Sequence, residues 1–215
     1  MKLLSVNVGK PRSVAHNGKR VRTGIFKSAV EGRVKVNELN LEGDKQADLR
    51  YHGGWSKAVY AYPHEHYDFW RATLPALDYP FGAFGENLST TGILEDEICI
   101  GDKLKIGSAR FIVTEPRFPC YKLGIRFDLP EIVLSFYLSG RYGFYLAVEK
   151  QGEIEAGEKI EIVHRDENRV SIGDIIRLKN DLSKDKDLIN RALEVDALPE
   201  DLKQRLRGKL KKIDF

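Results

Sequence analysis

Apolar and polar positions alternate through most of the first 165 residues. The segments "KLLSVNV", "GRVKVNEL", "KAVYAY", "EICIGDKLKIG", "ARFIVTE", "YGFYLAVEK" and "EKIEIVHR" are rich in β-branched and aromatic residues and bounded by Gly, Asn or Asp, which predicts strands. In "IGDKLKIG" (100–107) and "AGEKIEIV" (156–163) a glycine and an acid form a turn, and a lysine then opens an alternating strand. The shared pattern predicts similar corners of one twisted sheet. Many short strands with glycine-rich corners favour a barrel or sandwich over a parallel α/β sheet. Two stretches read as helices instead. "YPHEHYDFWRATLP" (62–75) has Pro63 in its first turn and Pro75 at its end, and "LPEIVLSFYLSG" (129–140) opens at Pro130 and stops at Gly140.

Near residue 166 the period lengthens to that of helices. Ser171 and Asp174 stand at capping-box spacing over about 171–179. Leu188, Ile189, Ala192, Leu193 and Val195 mark a second helix over about 184–195. Leu202, Leu206 and Leu210, four apart after Pro199, mark a third over about 199–211. The expected architecture is mainly β: a β-rich domain over residues 1–166 with a few helices, then a small all-α three-helix module over 167–215. With fewer than about 50 residues, that module needs to pack against the rest.

Composition adds limits. A chain of 215 residues with 42% apolar and 31% charged residues has the balance of a globular protein. Its net charge of +3 is too mild for bulk nucleic-acid binding as a main task, while a local basic patch could bind a smaller anion. No window approaches the roughly 20 apolar residues that span a bilayer. The opening "MKLLSVNVGKPRSV" is a short apolar run broken by Asn7, so it reads as a strand and not as a secretory signal. A cytoplasmic location with reduced thiols at Cys99 and Cys120 is expected.

Three glycine- and polar-rich stretches interrupt the strands. In "LEGDKQADLRYHGGWSKAVY" (41–60), His52-Gly53-Gly54 can bring backbone N–H groups close to an anion, and Lys57 follows. "FGAFGENLSTTG" (81–92) holds Gly85, Glu86 and Asn87 beside a run of hydroxyls. "EPRFPCYKLG" (115–124) sets Cys120 between two cations, Arg117 and Lys122. An extended run from Phe118 puts Cys120 and Lys122 on one side and Arg117 and Tyr121 on the other, with Pro119 able to swing Arg117 inward. A neighbouring ammonium favours thiolate over thiol, and thiolate is the form that binds soft metals and attacks electrophiles. Cys99, in an alternating strand pattern, reads as core. Taken singly, Cys120 also reads as a buried structural thiol, His52-Gly53-Gly54 as a turn, and Gly85-Glu86-Asn87 is uninformative. His64 and His66, two apart, share no helical face, and no Cys/His quartet has zinc spacing. Dinucleotide-binding, P-loop and nucleophile-elbow motifs are absent.

In order, "GD…D…HGGWSKAVYAYPHEHY", "FGENLSTTG", "IGDKLKIG" and "VTEPRFPCYKLG" resemble the MOSC domain (molybdenum cofactor sulfurase C-terminal domain). The resemblance is to its bacterial stand-alone type, linked to resistance to N-hydroxylated purines, which also carries a C-terminal three-helix module. It implies a β-barrel-like fold whose cleft binds molybdenum cofactor, a pterin dithiolene (molybdopterin) with a terminal phosphate. The family's cysteine falls on Cys120, whose sulfur would ligate molybdenum. His52, Gly53, Gly54 and Lys57 match the first motif and Gly85, Glu86 and Asn87 the second. Lys57, Arg117 and Lys122 would balance the phosphate and the oxo-metal centre, while the Gly53-Gly54 backbone and Asn87 would hydrogen-bond pterin or phosphate. Trp55 and Ser56 depart from relatives, which often have a small residue or proline followed by an acid. The implied activity is reduction of an N-hydroxylated base or related small molecule. Two cysteines cannot hold an iron–sulfur cluster in the usual way, so an external reductase, a flavoprotein or iron–sulfur protein, is required. A non-catalytic cofactor carrier, or a sulfur carrier through a Cys120 persulfide, fits the same residues.

Overall fold

The computed structural model describes residues 1–48, 53–180, 182 and 184–213. Twelve strands appear among them: β1 Lys2–Val8, β2 Arg12–His16, β3 Lys19–Thr23, β4 Ser28–Val30, β5 Val34–Val36, β6 Val59–Pro63, β7 Leu88–Thr91, β8 Lys103–Ile106, β9 Ala109–Pro116, β10 Phe144–Lys150, β11 Gly152–Ile154 and β12 Ile160–His164. Six α-helices accompany them: α1 Glu65–Thr73, α2 Lys122–Phe127, α3 Ile132–Ser139, α4 Ile172–Lys179, α5 Lys186–Glu194 and α6 Glu200–Ile213.

Eight strands form the main sheet, in the order β12-β8-β9-β10-β6-β7-β1-β4. All neighbours run antiparallel except β6 and β7, which are parallel, with α1 in the connection between them. The two look-alike segments are partners: β8 pairs with β12, Ile106 opposite Ile160 and Leu104 opposite Ile162. The expected barrel is not closed. The sheet ends at β12 and β4; a bridge between Lys2 and Lys159, with backbone hydrogen bonds from the Leu3, Gly157 and Ile160 N–H groups to the Glu158, Leu3 and Met1 carbonyls, joins the start of β1 to the approach to β12. A curl without a shared ladder leaves a mixed, sheet-dominated fold rather than a barrel.

Two small ribbons complete it, β5 with β11 and β2 with β3. The β2–β3 hairpin turns on Asn17-Gly18, with φ of 48° and 72°. Two successive positive φ angles suit the right-handed twist of a two-residue hairpin, and Asn-Gly is the pair that tolerates them.

Proline explains one difference from expectation. Pro63 is the last residue of β6, opposite Thr90 of β7, and α1 begins only at Glu65. A proline N lacks a hydrogen to donate, but here the His64 N–H continues the pairing, to the Thr90 carbonyl at 2.7 Å. A second difference concerns "PCYKLG". Lys122 opens α2, so the predicted extended run stops at Cys120.

The core is densely aromatic. Tyr62, Tyr67, Trp70, Phe84, Phe136, Tyr142 and Phe144 are fully buried. Trp70 of α1 stacks on Phe136 of α3 at 5.6 Å, and its indole N–H donates to the Tyr62 hydroxyl at 2.7 Å. Satisfying the polar ends of Tyr and Trp in this way lets large rings be buried without an orphaned donor.

The C-terminal helices share this core through Ile172, Ile175, Leu188 and Leu202. Ser171 caps α4 with a reciprocal capping box to Asp174, as its spacing predicts. The Ile100 and Gly173 N–H groups tie the entry to α4 to the connection between β7 and β8, through the Val170 and Glu95 carbonyls at 2.9 and 2.8 Å. Ser171→Ala should therefore lower stability by about 1 kcal/mol, read as an earlier urea midpoint with unchanged slope.

Candidate active site

Pro116 closes β9, Pro119 keeps the preceding Phe118 out of helix, and a short turn then leads into α2. The Leu123 N–H donates to the Cys120 carbonyl at 3.0 Å as α2 starts. Winding into a helix turns Tyr121 outward, 53% exposed, while Cys120 and Lys122 both face one cleft with Arg117.

That cleft holds about 580 Å³ of empty space, counted to its solvent-open mouth. One wall comes from Thr23, Gly24, Ile25 and Lys27, and another from the segment Asp44 to Asp48. Lys57, Tyr60, Gly85, Asn87 and Tyr145 complete it with the cysteine turn. Five cations (Lys27, Lys45, Lys57, Arg117, Lys122) face two carboxylates (Asp44, Asp48), a lining excess of +3.

The cations differ in what holds them. Lys27 is buried against Asp44. Burial pushes the Lys27 pKa down, and the Asp44 carboxylate opposes that shift. Lys57 stands 3.5 Å from Glu115, which also accepts from the Ser56 hydroxyl at 2.9 Å. Burial raises the Glu115 pKa in spite of both partners. Lys122 lies 3.7 Å from Asp48. No described carboxylate lies within ion-pair distance of Arg117, which is 5% exposed. Its guanidinium sits 5.5 Å over the Tyr60 ring and 5.7 Å over that of Phe136. Its Nη1 is buried without a hydrogen-bond partner among the described residues. Burial opposes its charge most strongly, but the acidic side chains of Tyr60, Cys120 and Tyr145 together outweigh it. Tyr145, which lines the same cleft, has its own hydroxyl pushed up to about 12 by burial.

The second motif divides in two. Asn87 lines the cleft, but its amide is engaged within the protein. Oδ1 accepts from the Tyr60 N–H at 3.1 Å, and Nδ2 donates to Asp44 at 2.9 Å and to the Asn7 carbonyl at 3.2 Å. Asp44 also accepts from the Gly9 N–H at 2.9 Å, so Asn87 and Asp44 tie three separate segments together behind the cleft. Gly85 borders the cleft at a φ of 81°, where a Cβ would come within 2.8 Å of the Ile25 side chain. Glu86 points away from it. Fully buried, it accepts from the Tyr67 and Ser89 hydroxyls and from the Gly82 and Phe84 N–H groups. In the first motif, Lys57 reaches the cleft; Gly53 and Gly54 do not line it but lead into a 3-10 turn, Trp55–Lys57. His52 lies outside the described residues.

Sequence reasoning missed Lys27, Tyr60 and Tyr145 as cleft residues. The two tyrosines were hidden by strand alternation that marks them as core. Lys27 had one signal, an isolated cation between the apolar Ile25-Phe26 and β4. Cys99, as expected, is buried, and burial raises its pKa. His66 is paired with Glu95 at 2.8 Å, inside the core. Among the described residues no group of three His, Cys, Asp or Glu side chains is placed to hold a metal ion. No helix is long and apolar enough to cross a membrane.

The sequence profile of the MOSC domain matches residues 48–161. YflK of Bacillus subtilis (strain 168) is 39% identical over 198 residues, 92% of this chain and 89% of that protein. A protein of Gibberella moniliformis named "Reductase" is 35% identical over 179 residues, 82% of this chain but 32% of its own length. The crystal structure of YiiM from Geobacillus stearothermophilus superposes with a TM-score of 0.80 at 29% identity, covering 97% of this chain and 98% of that one.

Two substitutions separate scaffold from site. Glu86→Ala strands four buried donors and should cost on the order of 3 kcal/mol by denaturant unfolding. Glu115 has a folded pKa above its ordinary value of 4.5. Its contribution to stability is therefore complete below 4.5 and is lost as pH rises through the raised value. Thermal midpoints of wild type relative to Glu115→Gln should accordingly fall as pH increases from about 4 to about 8; a gap that stays constant would refute the assignment.

Proposed function

The chain belongs to the MOSC domain family, and on that premise we propose that its cleft binds molybdenum cofactor and reduces N-hydroxylated bases or related N-hydroxylated compounds. Electrons come from a separate reductase. The observation that carries this reading is Arg117: a buried cation beside Cys120, its Nη1 without a partner among the described residues, in a cleft whose lining has an excess of positive charge. A permanently charged group left unmet in a buried place calls for an anionic ligand. The naming of a relative as a reductase agrees with it.

The donor set fits the cofactor's chemistry. The sulfur of Cys120 is a soft ligand suited to molybdenum. Arg117, Lys57 and Lys122 supply charge-assisted donors for its phosphate and other anionic oxygens. Asn87 serves in this scheme as a brace, because its amide already holds Tyr60, Asp44 and Asn7. When bound, the cofactor supplies the two-electron chemistry that removes the hydroxyl oxygen. The same reduction takes up two protons. Lys57 Nζ in the cleft, 3.5 Å from Glu115 Oε1 behind it, gives a path for one of them from the interior.

Protein expressed with an intact cofactor pathway should contain molybdenum and pterin, and should reduce an N-hydroxylated purine when a chemical reductant is supplied. Cys120→Ala should abolish turnover while remaining folded. Arg117→Met should weaken cofactor retention by about 10- to 100-fold, the equivalent of one or two charge-assisted bonds. Metal retained without turnover would mark a carrier, and wild-type protein lacking both metal and pterin would sink the reading.

A further inference from the structure

Helix α3 carries apolar side chains on both of its sides. Ile132 and Phe136 face the core, while Leu134, Tyr137 and Leu138 are 62%, 39% and 73% exposed. Positions i, i+3 and i+4 share one helical face, so these three form a single outward patch. Leu182, 73% exposed, follows α4. Beside the patch lies a groove between α3, α4 and α6. Tyr137 lines it together with Lys179, Arg205, Lys209 and Lys212, and no Asp or Glu occurs among its described lining residues. Large apolar side chains beside charge of a single sign are the composition of a protein-recognition surface. A nucleic-acid backbone would use the cations but gain nothing from Leu134 and Leu138.

Rings connect this surface to the cleft. Tyr137 is 6.4 Å from Tyr142, which meets Phe118 edge-on at 5.6 Å and stacks on Phe136 at 5.7 Å. Phe136 faces the Arg117 guanidinium at 5.7 Å. Phe118 stands two residues before Cys120, with Lys179 Nζ 3.6 Å over its ring. The groove and the cleft are thus the two sides of one short turn.

We propose that this face docks the electron donor, an acidic flavoprotein, against α3 and α6. The proposal rests on the reductase function given above. Converting R–NHOH to R–NH₂ and water takes two electrons and two protons. A flavin dihydroquinone carries such an electron pair and becomes oxidised flavin as it gives it up. Acidic groups on the donor meet Lys179, Arg205, Lys209 and Lys212, and its apolar contact covers Leu134 and Leu138.

The test compares two reductants on the cofactor-loaded protein with an N-hydroxylated purine: dithionite with methyl viologen, which needs no docking, and reduced flavodoxin, an acidic flavoprotein. Arg205→Glu/Lys212→Glu and, separately, Leu138→Asp alter exposed positions outside the cleft. Each should raise the KM for flavodoxin by roughly tenfold or more. The dithionite-driven rate should stay within about twofold of wild type, and the wild-type KM should rise with salt. Dithionite-driven turnover that flavodoxin cannot replace, or flavodoxin kinetics indifferent to both variants, overturns the docking face alone. Absence of turnover with dithionite overturns the proposed function, and the donor site with it.

Discussion

Arg117 imposes the constraint around which the site is arranged. A guanidinium cannot shed its proton to escape burial, so the fold must answer its charge in some other way. It does so incompletely. The faces of Tyr60 and Phe136 lie beneath it and Tyr145 lines the same cleft, yet Nη1 has no hydrogen-bond partner among the described residues. Cation–π contacts are worth roughly 0.5–2 kcal/mol each, less than the several kcal/mol that desolvating an ion costs. The aromatic block of Trp70, Phe136 and Tyr142 therefore has two tasks. It supplies the hydrophobic stabilisation of the fold, and it holds in place a cation whose Nη1 no described residue satisfies.

Three of the other four cleft cations are handled differently, and the contrast is informative. Lys27 has Asp44, Lys57 has Glu115 and Lys122 has Asp48. These pairs keep lysines in a cleft without requiring a ligand. Asp44 and Asn87 in turn lock the Gly9, Asn7 and Tyr60 backbones together, so the electrostatics of the cleft and the assembly of its walls use the same atoms. A carboxylate removed here would loosen a wall as well as free a charge.

Much of this was legible in the sequence, for identifiable reasons. Ser171 and Asp174 announced the start of α4 because capping depends on local chemistry alone. The pairing of β8 with β12 was foreshadowed by the likeness of "IGDKLKIG" to "AGEKIEIV". Cys120, Arg117 and Lys122 were found together because they are neighbours in the chain, although the extended geometry assumed for them was replaced by the first turn of α2. Lys27, Asp44, Tyr60 and Tyr145 meet them only through long-range pairing, which no window of sequence contains. Glu86 was hidden in another way: its motif alone was uninformative, and its four donors come from backbone and hydroxyls whose positions only the fold sets. Barrel closure failed as an expectation because it depends on edge strands meeting, and β4 and β12 do not.

The β2–β3 hairpin stands outside the main sheet, and its turn-proximal His16 stacks against Tyr121 at 6.1 Å, next to the cysteine. Its second strand runs directly into Thr23, Gly24 and Ile25, which form one side of the cleft. That side therefore continues from a ribbon that shares no ladder with the main sheet among the described residues, while Arg117 and Cys120 sit on the turn that leaves β9, a strand of that sheet. Length and residue changes in the ribbon can accumulate without disturbing the buried aromatic block. The entrance of the cleft can thus change apart from its floor, a division of labour built into the order of the strands.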